Sequence, residues 1–173
     1  MAIPGSGPRR VAGGGDAGAV LAVVTDMPDP EDLGGNMLLS GAAGLLFDRM
    51  LGAIGLARPA IWLAPLAVAR PVAGQVPAAD QPALAAILRH QLSLTGAEQL
   101  LVMGDAASRA LTGTETARAR GRFHSVNLGD RTVAVAATFH PRLLLRRPAL
   151  KAEAWADLQM VAARMTGGGS QCA

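Results

Sequence analysis

The chain has a single cysteine, Cys172, one residue from its C-terminus. One thiol excludes a disulfide within the chain and a thiolate-ligated cluster built from one chain. Such poverty fits a reducing, cytoplasmic setting. Tyrosine is absent and aromatic residues make up only 3% of the chain, so the core must be built from Ala, Leu and Val. No apolar run reaches the roughly 18 residues that a membrane-spanning helix needs. Arg9-Arg10 precede a short apolar run over 17–24, but Gly13-Gly14-Gly15-Asp16 interrupts the approach and Thr25-Asp26 closes it without a small-residue cleavage site. The sequence therefore predicts no export signal. Nor is there an internal repeat. The run Ala12-Gly13-Gly14-Gly15 is not followed by Gly-Lys-Ser/Thr, which excludes a nucleotide-binding phosphate loop.

What is present suits one domain of 173 residues, half of them hydrophobic. Alanine-rich apolar runs are separated by Gly and Pro. They predict strands over 20–24, 60–66 and 99–103, and a hairpin of 126–128 with 132–137 around Gly129-Asp130. Helices are predicted over 40–56, with Leu45, Leu46, Met50, Ile54 and Leu56 recurring, then over 79–94, 105–111 and 148–165. In the last, Ala149, Ala152, Trp155, Leu158 and Val161 read as the inner stripe; Trp155 and Trp62 both read as core. Alternating strands and helices predict an α/β fold, a three-layer α/β/α sandwich with a mainly parallel central sheet. The expected domain spans 18–166, with flexible tails over 1–17 and 167–173. Ligands in such sheets bind at the carboxyl ends of strands. Loops beginning at Thr25, Pro65, Gly104 and His140 leave such ends.

Net charge is +3, unevenly spread. Residues 11–48 carry Asp16, Asp26, Asp29, Glu31, Asp32 and Asp48 and no cation. Residues 109–151 carry Arg109, Arg118, Arg120, Arg122, Arg131, Arg142, Arg146, Arg147 and Lys151 against only Glu115 and Asp130. That division suits a nucleic-acid enzyme, with arginines on phosphates and carboxylates for chemistry, and equally an ordinary solvated surface. Within Thr25-Asp26-Met27-Pro28-Asp29-Pro30-Glu31-Asp32, four carboxylates crowd into eight residues. Mutual repulsion raises their pKa values and could prepare a base, a cation stabiliser or a metal site; turn formation is the alternative. Thr138-Phe139-His140-Pro141 ends a strand and leads into Leu143-Leu144-Leu145-Arg146-Arg147. A proline-locked histidine before leucines and arginines suits a wedge entering nucleic acid, or else a structural histidine. His90 and His124 stand in no motif and read as structural.

Four segments in order carry a resemblance. Pro28 leads without a gap to Gly41-Ala42-Ala43-Gly44-Leu45-Leu46 and then to Ile54-Gly55-Leu56. Leu101-Val102-Met103-Gly104-Asp105-Ala106-Ala107-Ser108-Arg109-Ala110-Leu111 follows, then the His140 segment, then Glu153-Ala154-Trp155-Ala156-Asp157-Leu158. Together, over about residues 20–163, they resemble the family-four, iron–sulphur type of uracil-DNA glycosylase. The resemblance implies DNA as partner and excision of a base flipped from the stack into a pocket. It implies catalytic roles for Asp26, Asp32 and His140: His140 as donor to the uracil oxygen, Asp32 as the water-coordinating acid, and Asp26 in place of the family's glutamate. It places Met27, Pro28, Leu39 and Pro65 at the base pocket. Ser40, Gly41, Arg142, Leu143 and Arg146 fall at the DNA contact.

Departures from the family are specific. The cluster cysteines are missing, and two of their positions fall near Ala69 and Ala83. No cofactor and no metal ligand set is therefore predicted. Leu39 stands for the stacking phenylalanine and Pro65 for the asparagine that reads uracil's edge; Thr25 and Asp29 replace glycines. Two readings follow: a divergent glycosylase acting on uracil or another damaged base, or a catalytically silent module of that fold that binds DNA or protein.

Overall fold

The computed structural model describes residues 9–167. Its centre is a six-stranded sheet of β1 (Gly14–Gly15), β2 (Leu21–Thr25), β3 (Ile61–Pro65), β4 (Gln99–Met103), β5 (Phe123–Leu128) and β6 (Arg131–Thr138). The spatial order is β1-β3-β2-β4-β6-β5. The inner four run parallel; β1 and β5 close the edges antiparallel. The helices are α1 (Asp32–Gly35), α2 (Gly41–Ala53), α3 (Gln81–Ser93), α4 (Asp105–Thr112), α5 (Thr116–Ala119), α6 (Pro141–Arg146) and α7 (Lys151–Gly167). This is the expected α/β architecture with its mainly parallel sheet. No described helix is long and apolar enough to cross a membrane.

Both sheet faces are covered, so the central strands are apolar throughout rather than alternating with polar residues. Successive side chains instead supply opposite cores. Ala22, Val24, Leu100 and Val102 face α3 and α4 through Leu84, Leu88, Leu92, Ala107 and Leu111. Leu21, Val23, Leu101 and Met103 face α2, α6 and α7 through Phe47, Leu51, Leu144, Leu158 and Val161.

Several expectations are corrected. On α2 the buried face is Ala43, Phe47, Met50 and Leu51, whereas Leu45 is 65% exposed. At about 100° per residue, Leu45 lies far round the helix from Ala43. On α7 the inner stripe is Ala154, Asp157, Leu158 and Val161; Trp155, one residue round from Ala154, is 41% exposed. The last helix also starts later than expected, after a 3-10 turn at Pro148–Leu150. The N-terminal segment is not a tail from residue 10 onward. Arg10 bridges to Ala69, Val11 is buried, and Gly14–Gly15 pair with β3. Glycine permits that strand because a Cβ at Gly13 would stand 2.5 Å from the Leu63 carbonyl oxygen. Residues 1–8 and 168–173, where the rest of the expected tails falls, lie outside the described residues.

Candidate active site at the strand ends

The four parallel strands end in line. Thr25 stands opposite Pro65 and Met103, and Met103 opposite Thr138. The next residues of β2, β4 and β6 are Asp26, Gly104 and Phe139-His140, delivered to one edge of the sheet. Asp26, Met27, Asp29, Arg70, Gly74, His140, Arg142, Leu143 and Arg146 line a cleft of about 360 Å³ there.

Asp26 is fixed from three sides. Its carbonyl accepts the Ala67 N–H at 3.0 Å, and its Oδ1 accepts the Ala107 N–H at 2.7 Å, in the first turn of α4. Room for the carboxyl comes from Gly104, with φ +117°, where a Cβ would come 2.5 Å from Asp26. Burial pushes the Asp26 carboxyl up to about 6, against the lowering pull of the Ala107 and Ala106 amides. It is thus a carboxylate poised near neutral pH.

His140 caps α6, and its Nδ1 accepts the Arg142 N–H at 3.2 Å. That bond requires a bare Nδ1, so the neutral ring carries its proton on Nε2. Burial first, and the Arg142 charge second, hold its pKa down to about 4. The ring is therefore a neutral donor at physiological pH. Behind it, Thr138 donates to Asp157 at 2.9 Å, and Asp157 also accepts Arg120 Nε at 3.1 Å and the Gly121 N–H at 3.2 Å. Arg120 in turn lies over the Phe139 ring. This buried cluster anchors the strand end from which His140 projects.

Asp32 is placed differently from Asp26. It is 1% exposed and accepts four hydrogen bonds: from the N–H groups of Asp29 and Leu39 on Oδ2, and from the N–H and hydroxyl of Ser40 on Oδ1. Arg58 holds the same loop from outside, donating to the Leu38 and Leu39 carbonyls. Between these two clamps Leu39 is kept at φ +53°, buried in the core beside Phe47.

The cleft thus brings together Asp26, Met27, His140, Arg142, Leu143 and Arg146 from the residues singled out in the sequence. It does not include Asp32, Pro28, Leu39, Pro65, Ser40 or Gly41. Pro28 is buried behind it and accepts Arg70 through its carbonyl at 3.2 Å. Pro65 closes β3, and Ser40 and Gly41 open α2, where the Glu31 carboxylate packs against Gly41. Three lining residues went unassigned to the site: Asp29, Arg70 and Gly74. Asp29 binds Arg142 at 2.6 Å and lies 3.9 Å from Arg70. Burial raises its pKa and Arg142 opposes the rise. Arg70 and Gly74 belong to the Pro/Gly loop after β3, and no local pattern marked them. His124 is engaged with the Ala119 carbonyl and His90 lies exposed on α3.

A mainly parallel sheet with an acid, a neutral histidine and arginines at its carboxyl edge places the chain among the α/β proteins that build their site at the strand ends. Residues 13–159 match the model of the Uracil DNA glycosylase superfamily, and the chain belongs to that superfamily. It is similar to the type-4 uracil-DNA glycosylase of Archaeoglobus fulgidus, 28% identical over 159 residues that cover 87% of this chain and 79% of that protein. It is also similar to the type-4 uracil-DNA glycosylase of Pyrobaculum aerophilum, 24% identical over 166 residues covering 92% and 81%.

The iron–sulphur cluster implied by that resemblance needs several thiolates, and this chain has one cysteine. Ala69 is buried against the N-terminal segment and Ala83 is exposed on α3; neither side chain can ligate. Among the described residues no group of three or more His, Cys, Asp or Glu is placed to hold a metal. The residues present do not fit the cluster.

Proposed function

We propose that the protein excises uracil or another damaged base from DNA by hydrolysing its N-glycosidic bond. The observation that carries this is the pairing, in one arginine-rimmed cleft, of a neutral His140 with an Asp26 titrating near pH 6. The target nucleotide is rotated out of the stack, at a cost of a few kcal/mol. Leu143 fills the space it leaves and Arg146 holds a flanking phosphate, while Arg142 stays paired with Asp29 at the wall of the cleft. As the bond between C1′ and the base nitrogen breaks, negative charge gathers on the base and positive charge on the sugar. His140 Nε2–H donates to the base oxygen, and ionised Asp26 faces the cation and takes the proton of the water that adds to C1′. The base leaves as the anion and is protonated by solvent. Asp32 serves by holding the loop from Asp29 to Ser40, since its oxygens are already engaged.

A second reading, a catalytically silent binding module, is favoured by two residues. Leu39 is packed in the core and Pro65 has no side-chain donor, so neither reads a base edge. Labelled single- and double-stranded oligonucleotides carrying uracil, hypoxanthine or xanthine separate the two. Excision that is lost in His140→Ala and Asp26→Asn supports the glycosylase. A folded, DNA-binding protein that excises none of these bases supports the silent module.

A further inference from the structure

A second concavity of about 190 Å³ lies away from the cleft, between α2, α6 and α7. Its floor is aliphatic: Leu46, Met50, Leu144, Ala154 and Leu158. Trp155, which sequence periodicity assigned to the core, stands at its edge and is 41% exposed. Single exposed apolar residues are ordinary, but a preformed hollow beside a half-open tryptophan is a contact surface.

The charges at its rim select the occupant. Arg49 and Lys151 line it, both exposed. Among the described residues neither has a carboxylate within ion-pair distance. The acids that neighbour them in sequence are committed elsewhere, Asp48 to Arg58 and Glu153 to Arg120 at 2.6 Å. Arg146 and Arg147, also exposed and without an ion-pair partner among the described residues, lie on the segment that joins Leu144 to Lys151. The two charged residues that line the groove are therefore both positive, above an apolar floor. Nucleic acid would satisfy the rim but gain nothing from a floor of methyl groups without a donor. A peptide with a bulky apolar anchor and flanking carboxylates satisfies both.

We propose that this groove docks an acidic amphipathic segment of a partner protein, its anchor seated over Leu144 and Leu158 and its carboxylates on Arg49 and Lys151. The proposal does not depend on base excision, which belongs to the other face of α6. The same short helix that floors the groove with Leu144 carries Leu143 and Arg146 into the cleft, so a docked partner sits beside bound DNA.

The test is fluorescence polarisation with a labelled peptide bearing a Phe–Leu apolar face between glutamates, and a lysine-flanked counterpart. The glutamate peptide binds saturably and the lysine peptide does not. Arg49→Glu and Lys151→Glu together weaken it roughly tenfold, since each reversal replaces a modest exposed attraction by a repulsion, and Trp155→Ala weakens it independently of charge. Melting curves establish that the variants are folded. The proposal is overturned by no saturable binding of the glutamate peptide, or by peptide binding indifferent to the charge reversals, whether or not they weaken DNA binding. Self-association abolished by Trp155→Ala would assign the groove to a second copy instead, and also overturns it.

Discussion

At the scale of the residue, Asp26 and Asp32 are neighbours in sequence with opposite chemistry. Asp26 has been lifted to about 6 by burial. Its folded pKa exceeds its unfolded value of 3.8. The group therefore favours the folded state below about pH 4 and loses that contribution as pH rises through 6. At pH 8 its ionised form is a burden on the fold, and Asp26→Asn should raise stability by about 1–3 kcal/mol while sharply reducing excision. Chemical denaturation at pH 8 and an excision assay read both; a variant that is destabilised at pH 8 would sink the argument. In the wild-type protein the excision rate should climb with pH through about 6 as Asp26 ionises. His140, held near 4, stays neutral across that range and contributes no second inflection there. The rise should vanish in Asp26→Asn. Asp32 behaves otherwise. Asp32→Ala leaves two buried N–H groups and one part-buried N–H without their acceptor and should cost about 3–5 kcal/mol. Loss of activity with unchanged stability in that variant would mean that Asp32 acts on substrate rather than on the loop.

At the scale of the element, the turn from β4 into α4 sets the position of Asp26. Gly104→Ala forces a Cβ to within 2.5 Å of the Asp26 carboxyl at φ +117°. It should destabilise by about 1–3 kcal/mol and lower the excision rate with it. A crystal structure of an active Gly104→Ala protein with Asp26 unmoved would refute this dependence. The strands β2, β4 and β6 and the helices α3 and α4 were legible because each is a local apolar pattern bounded by Gly, Pro or Asp. What was not legible arises from distant contact. The strand β1 has no side chains to announce it and exists because glycines lie flush on β3. Leu158 and Val161 were read correctly, but Trp155 was read as core because a strict three-residue step was carried back from them, whereas the helix buries Ala154, Asp157, Leu158 and Val161. Asp157, a buried acid in an apolar stripe, is an inner position because Thr138 and Arg120 meet it there. His140 and Asp26 were singled out from flanking motifs, and both line the cleft. Asp29 was singled out as a carboxylate and as a glycine replacement but given no site role, and Arg70 was missed because its pairing with Asp29 joins segments some forty residues apart.

At the scale of the whole molecule, a net charge of +3 understates the field that DNA would meet, because the cations gather on the C-terminal half and the acids near β2. One ion pair crosses that division at the cleft, Asp29 to Arg142 at 2.6 Å. While it is closed, Arg142 is largely neutralised and releases no counterion on binding phosphate. Asp29→Asn removes the opposing charge without removing volume. The variant should bind DNA more tightly at low salt, and the slope of log affinity against log salt should steepen by about one unit, one further phosphate contact. Arg142→Ala should leave the wild-type slope nearly unchanged, since its charge is already spent on Asp29, whereas Arg146→Ala, without an ion-pair partner among the described residues, should flatten it by about one unit. Salt titrations of the wild type and the three variants on one duplex decide the matter. Equal slopes for Asp29→Asn and wild type would mean that the pair opens freely when DNA arrives and that Arg142 reaches a phosphate despite Asp29.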